Sequence, residues 1–176
     1  MGKTIDRMRQ FELEIEPHLP QPVIEGLDRL GFFKAPASIG YHGSYPGGLY
    51  DHSYAVTTAL LELTKKLSLK WNRPCGPYVV GMFHDLCKTD NYKYDRDTDK
   101  WTHDKDTLMP GHGDKSILIA QRLLAITEEE TMCIRWHMGA FDDKSNWDYY
   151  CKAIAKYPNV LYAHTADMIA SQIRGT

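Results

Sequence analysis

The chain has no uninterrupted apolar stretch approaching the roughly 20 residues that a membrane-spanning helix needs, which excludes a helical span. It has no Cys-x-x-Cys pair. Its four cysteines, Cys75, Cys87, Cys133 and Cys151, show no small-domain disulfide framework, so reduced thiols packing as small hydrophobes are expected. An excess of one charge is missing too: 21 basic and 23 acidic side chains leave a formal charge of -2, without the broad basic footprint of a duplex-binding protein. There is no internal repeat, low-complexity tract or Ser/Gly linker, so one domain over residues 1–176 is expected, with a core at about 40–171 and N-terminal helices at 1–39. Met1 to Glu14 mixes Lys3, Asp6, Arg7, Arg9 and Glu12 with scattered apolar residues, the opposite of a signal peptide's apolar core. A cytoplasmic protein without a membrane partner is therefore expected.

What the chain does contain is enough material for a core. At 176 residues, 43% hydrophobic and 25% charged, a chain can bury roughly 70% of its unfolded surface without disulfides. Its 8 histidines and 11 tyrosines stand out, and the placement of the histidines carries most of the functional argument.

Apolar residues at helical spacing predict helices near Ile5–Ile15, Val23–Leu30, Asp51–Leu69, Tyr78–Cys87, Lys115–Ala125, Glu128–Met138, Asp148–Lys156 and Val160–Ile173. Thr127 with Glu130 forms a capping-box pattern, and Gly139 stands where a C-terminal cap belongs. The fold class is all-α. Two stretches depart from it. Asn91 to Asp106 alternates aromatic and charged residues, as a small exposed hairpin would. Ser38 to Tyr50 carries Gly40, Gly43, Gly47, Gly48 and Pro46, a tightly turning loop whose backbone can approach a ligand, with His42 the loop histidine nearest such a role.

The chemistry starts at His84-Asp85, at the end of the apolar run Tyr78 to Phe83. A buried carboxylate there is costly unless paired, and a divalent cation removes the cost. By itself the dipeptide also fits a hydrogen-bonded core pair. It is accompanied, however, by His52 in Gly47-Gly48-Leu49-Tyr50-Asp51-His52, His112 between Gly111 and Gly113, His137 in Trp136-His137-Met138-Gly139, and Asp167 in Ala166-Asp167. Each has a structural reading as well: His112 as a turn residue, His137 as a histidine favoured by a helix C-terminus. His164, three residues before Asp167, reads as a partner of the ligands, and His18 and His103 as surface or loop histidines.

The order His, His-Asp, His, His, Asp resembles the HD phosphohydrolase superfamily in its version with two extra histidines. The resemblance runs from about Gly40 to Ser171 and includes the Gly-Gly-Leu-x-x-His element at Gly47 to His52, His-Asp-Leu-x-Lys at His84 to Lys88, and Ala166-Asp167. It is nearest to small stand-alone HD hydrolases and similar to the HD portion of certain 3′→5′ exoribonucleases. Many HD proteins have Gly where Cys87 stands.

The resemblance implies an HD-type helical bundle with the hairpin as an insertion. His52, His84, Asp85 and Asp167 would hold one metal and His112 with His137 a second, with Asp85 bridging. Such donors suit Mn, Fe, Co, Ni or Zn without choosing among them. The implied activity is metal-dependent hydrolysis of a phosphomonoester or phosphodiester, most plausibly of a nucleotide, by metal-activated water, with Asp85 and Lys88 catalytic and Lys88, Arg135 and Lys115 binding phosphate. Trp136, Tyr45 and Tyr50 are either base-stacking or core aromatics. The acidic stretch Asp95 to Asp106 favours a small phosphorylated substrate over extended nucleic acid. Two other readings remain: a di-iron oxygenase resembling inositol oxygenase, and a non-catalytic nucleotide- or partner-binding module.

Overall fold

In the computed structural model, which describes residues 2–41 and 43–176 with side chains from Arg7 onward, helices account for most of the chain. They are α1 (Gly2–Glu14), α2 (Ile24–Arg29), α3 (Gly48–Leu67), α4 (Gly76–Phe83), α5 (Lys88–Asn91), α6 (Gly113–Ala120), α7 (Glu128–Arg135), α8 (Trp147–Lys156) and α9 (Asn159–Met168), the last running on as a widened turn over Ile169–Arg174. Strands β1 (Tyr92–Asp95) and β2 (Lys100–His103) pair antiparallel, Tyr92 opposite His103 and Asp95 opposite Lys100. The mostly α class and the hairpin within Asn91 to Asp106 thus agree with the sequence pattern. His42 lies outside the described residues.

Local chemistry explains several boundaries. Thr127 Oγ1 accepts from the Glu130 amide (3.3 Å) while the Glu130 carboxylate accepts from the Thr127 amide (2.8 Å), the reciprocal capping box that starts α7. Gly139 adopts φ 54°, the left-handed conformation expected at a helix stop, just beyond the turn that ends α7. At α2 a distant residue substitutes for a cap: Glu16 Oε1 accepts from the amides of Val23 (2.8 Å) and Ile24 (2.9 Å).

Helices α3 and α4 are the most closely associated pair, and an apolar cluster lies to each side of them. One joins Phe11 of α1, Leu27 of α2, Leu49 and Tyr50 of α3, Met82 and Phe83 of α4, and Ile117 of α6. The other joins Val56 and Leu60 of α3, Val80 of α4, Trp136, and Val160 and Ala163 of α9. Tyr50 and Trp136 are therefore core aromatics, whereas Tyr45 is partly exposed and donates its hydroxyl to Asp51 Oδ2 at 3.0 Å. The close α3–α4 approach depends on Gly81, where a Cβ would fall 2.6 Å from Thr57 Cα and 2.8 Å from its amide nitrogen. It sets His52, one turn into α3, against His84 at the end of α4.

Candidate metal centre

His52, His84, Asp85 and His137 are buried, and Asp167 is nearly so. Their ring nitrogens and carboxylates converge on one another. His52 Nε2 lies 3.3 Å from His84 Nε2, 3.2 Å from Asp167 Oδ1 and 3.9 Å from Asp85 Oδ2. The other Asp85 oxygen, Oδ1, faces His137 Nε2 at 3.6 Å and Cys87 Sγ at 4.0 Å. Asp85 therefore presents one oxygen to each side of the site. His84 and His137 stand edge to face with ring centroids 5.0 Å apart.

The hydrogen bonds at the other ring nitrogen decide what these groups can bind. Nδ1 of His84 faces the Gly81 carbonyl (2.9 Å), Nδ1 of His137 the Ile134 carbonyl (2.7 Å) and Nδ1 of His52 the main-chain oxygen of Thr176 (2.8 Å). A main-chain oxygen can only accept, so each Nδ1 carries the proton and each Nε2 of a neutral ring presents a lone pair. Lone pairs and carboxylate oxygens then converge. That arrangement is repulsive unless protons or a cation lie between them, and among the described residues the buried His137 Nε2 has no hydrogen-bond partner. Ligands held about 2.0 to 2.1 Å from one tetrahedral ion stand roughly 3.3 Å apart, matching the His52–His84 and His52–Asp167 spacings. The donor set fits a divalent metal.

The titration behaviour has the same origin. Burial raises the Asp85 carboxyl, but Lys88, His84 and His137 outweigh it and hold Asp85 well below the usual carboxylate range. Asp167 is likewise raised by burial and lowered, net, by His52 and the other imidazoles. Burial depresses His52 and His137, yet Asp167 and Asp85 respectively carry both above the ordinary histidine value. His84, with burial dominant, falls to about 4.

His112 stands at the start of α6. Gly113 beside it has no room for a side chain, since a Cβ would fall 2.7 Å from Arg135 Cα, so α6 seats its first turn against the end of α7. The His112 ring is partly exposed, with Nδ1 3.6 Å from Cys87 Sγ. Asp85, Cys87 and His112 thus form a second group of donors beside that of His52, His84 and Asp167. Cys87 takes ordinary helical angles (φ -53°, ψ -28°), so this backbone needs no glycine there. Burial raises its thiol to about 12.

A cavity of about 220 Å³ opens on the centre, lined by His52, Asp85, Lys88, His112, His164 and Asp167, with Phe141 and Gln172 among the remaining residues. Of the three cations expected to meet phosphate, Lys88 alone borders it. The Lys88 ammonium forms no direct ion pair among the described residues and lies 5.7 Å over the Tyr92 ring. Lys115 is buried and engaged with Asp90, Asn91 and Thr107, where it pins the base of the hairpin. Arg135 pairs with Asp114 (2.8 Å) and Asp142 (2.7 Å), stacks on Trp136 at 4.1 Å and borders a different, apolar groove. Both cations are engaged by carboxylates outside the cavity lining.

His164 has the supporting place expected of it: its Nδ1 lies 2.8 Å from the His137 carbonyl. His18 and His103 are exposed, as expected. Cys151 is also exposed, unlike the buried Cys87 and Cys133, and all four cysteines are free. Sequence reasoning missed Phe141, 69% exposed at the cavity mouth, for which the sequence carries no signal beyond an aromatic shortly after a helix stop. No strand residue of the hairpin lines the cavity.

No family model, curated protein or solved structure matches the chain.

Proposed function

We propose that the protein is a metal-dependent phosphohydrolase of the HD type, hydrolysing a small-molecule phosphate ester of the nucleotide class. The observation that carries this reading is the convergence of three imidazole Nε2 atoms and two carboxylates, every Nδ1 committed to a main-chain oxygen, beside the ammonium of Lys88. His52, His84, Asp85 and Asp167 would hold one divalent ion; His137 and His112 supply donors on the Oδ1 side of Asp85. When bound, such ions acidify water and offset charge on phosphoryl oxygens.

The chain's own groups divide the remaining work. Lys88 offers a desolvated cation to a phosphate oxygen. Burial lowers its pKa, but Asp85 and neighbouring groups raise it further, so the amine stays protonated throughout the neutral range. The cavity is smaller than the roughly 300 to 1,000 Å³ typical of drug-sized ligands, so it suits the phosphate and its immediate ester while the rest of the substrate meets Phe141 at the mouth. His164 holds the His137 backbone in place.

The test is incubation of protein loaded with Mn²⁺, Co²⁺ or Ni²⁺ with a panel of nucleotides and simple phosphate esters, following release of phosphate or nucleoside. Hydrolysis that disappears in His52→Ala is expected. Absence of product under every metal, with metal demonstrably bound, would overturn the reading, and oxygen consumption by an iron-loaded sample would move it to oxygenase chemistry.

A further inference from the structure

We propose that Cys87 is a thiolate ligand of the second cation position, with His112 Nδ1 and Asp85 Oδ1, making that position selective for a thiophilic ion such as Zn²⁺, Co²⁺ or Fe²⁺ over Mn²⁺ or Mg²⁺. This rests on the proposed metal centre and adds a donor type that His and Asp alone do not supply.

The geometry comes from two stretches of chain, the connection between α4 and α5 that carries Asp85 and Cys87 and the start of α6 that carries His112. Cys87 precedes α5, and its amide donates to Ser116 Oγ of α6 at 3.0 Å, which ties it to the helix that His112 begins. His112 Nδ1 then lies 3.6 Å from Cys87 Sγ, and Asp85 Oδ1 lies 4.0 Å from the same sulfur. A sulfur about 2.3 Å and a nitrogen about 2.0 Å from one tetrahedral ion stand roughly 3.6 Å apart. The Cys87–His112 spacing is that of two ligands on one ion. Asp85 Oδ1, the oxygen turned away from the His52–His84 group, closes the triangle, and the sulfur is buried.

Coordination exchanges the S–H bond for a sulfur–metal bond, with the proton released to solvent and no change of oxidation state. Nitrogen and oxygen donors already bind Mn²⁺ more weakly than Fe²⁺, Co²⁺ or Zn²⁺, and a soft thiolate widens that gap. A hydrogen-bonded pair, with the thiol donating to the imidazole, is the competing account of the same 3.6 Å, and it predicts no electronic coupling between sulfur and metal.

Metal-free protein titrated with Co²⁺ separates the two. The expected result is up to two equivalents bound, with visible d–d bands from the whole centre and a near-ultraviolet sulfur-to-cobalt charge-transfer band from Cys87. In Cys87→Ser and Cys87→Ala the near-ultraviolet band disappears while the visible bands persist, and Zn²⁺ affinity at the second position drops about tenfold or more with Mn²⁺ affinity little changed. Cobalt bound with visible bands alone, or a near-ultraviolet band that survives in both variants, overturns the role of Cys87 and leaves the metal centre standing. No cobalt bound overturns the centre and the Cys87 role together.

Discussion

His84 Nδ1 bonds to the carbonyl of Gly81 one turn earlier on the same stretch of chain, at 2.9 Å, and this contact fixes which nitrogen of His84 faces Asp85 and His52. Gly81 acts twice: its carbonyl orients the His84 ring, and its missing side chain admits α3 against α4. Backbone packing and the orientation of the His84 ring are thus set at one residue, and changes at this helix pair are expected to register in metal binding.

Gly81→Ala is expected to lower stability by about 1 to 3 kcal/mol, because the added methyl overlaps the Thr57 backbone, which has no rotamer to move away. Metal affinity should fall with it, as His84 shifts relative to His52. Urea unfolding of the metal-free protein and titration with Mn²⁺ measure the two effects.

Asp85→Asn should reduce metal affinity more broadly than His52→Ala, since the two Asp85 oxygens face the two donor groups while His52 serves one. A loss of at least about tenfold is expected for each variant, and elemental analysis of protein exchanged into metal-free buffer should show Asp85→Asn depleted at both positions.

Metal uptake should release protons near neutral pH. In the metal-free protein, burial lowers His52 and His137 but Asp167 and Asp85 raise them further, so their pKa values lie above the ordinary 6.5. Their protonated forms stabilise the metal-free fold fully below 6.5, and that contribution is lost as pH rises through the raised values. A metal needs the neutral rings, so its stabilising effect grows over the same interval, whereas His84, at about 4, is already neutral. The increase in Tm on adding Mn²⁺ should be larger at pH 8 than at pH 6, and calorimetry in buffers of different ionisation enthalpy should show net proton release at pH 7.

Lys88→Ala is expected to retain metal and to lose about a hundredfold in kcat/KM for phosphate esters, the scale associated with removing one group that stabilises developing charge. Lys115→Ala should instead loosen the hairpin base with a smaller effect on catalysis, because its ammonium is committed to Asp90, Asn91 and Thr107. Steady-state kinetics with the metal content matched checks both.

Away from the centre, Arg73 forms a two-pronged pair with the buried Glu130, both contacts 2.7 Å, and Glu130 also completes the capping box of α7. Arg73→Ala leaves that carboxylate without its cation and should cost about 3 kcal/mol. Chemical denaturation reads the loss, while metal content should stay unchanged.

The sequence by itself determined the helical class, the hairpin and the capping box at Thr127 and Glu130, because these are written in spacings of a few residues that local backbone geometry converts directly into structure. His52, His84, Asp85 and Asp167 could be named because their order resembles the HD pattern. Only tertiary structure decided that Lys88 borders the cavity while Lys115 and Arg135 are taken by Asp90, Asp114 and Asp142, and that Cys87 comes to lie beside His112. Those outcomes depend on which helix meets which, and the close approaches at Gly81 and Gly113 are set by packing across segments 24 and 22 residues apart. A cation's partner, a ring's orientation and a sulfur's neighbours are long-range facts, and local sequence spacing does not encode them.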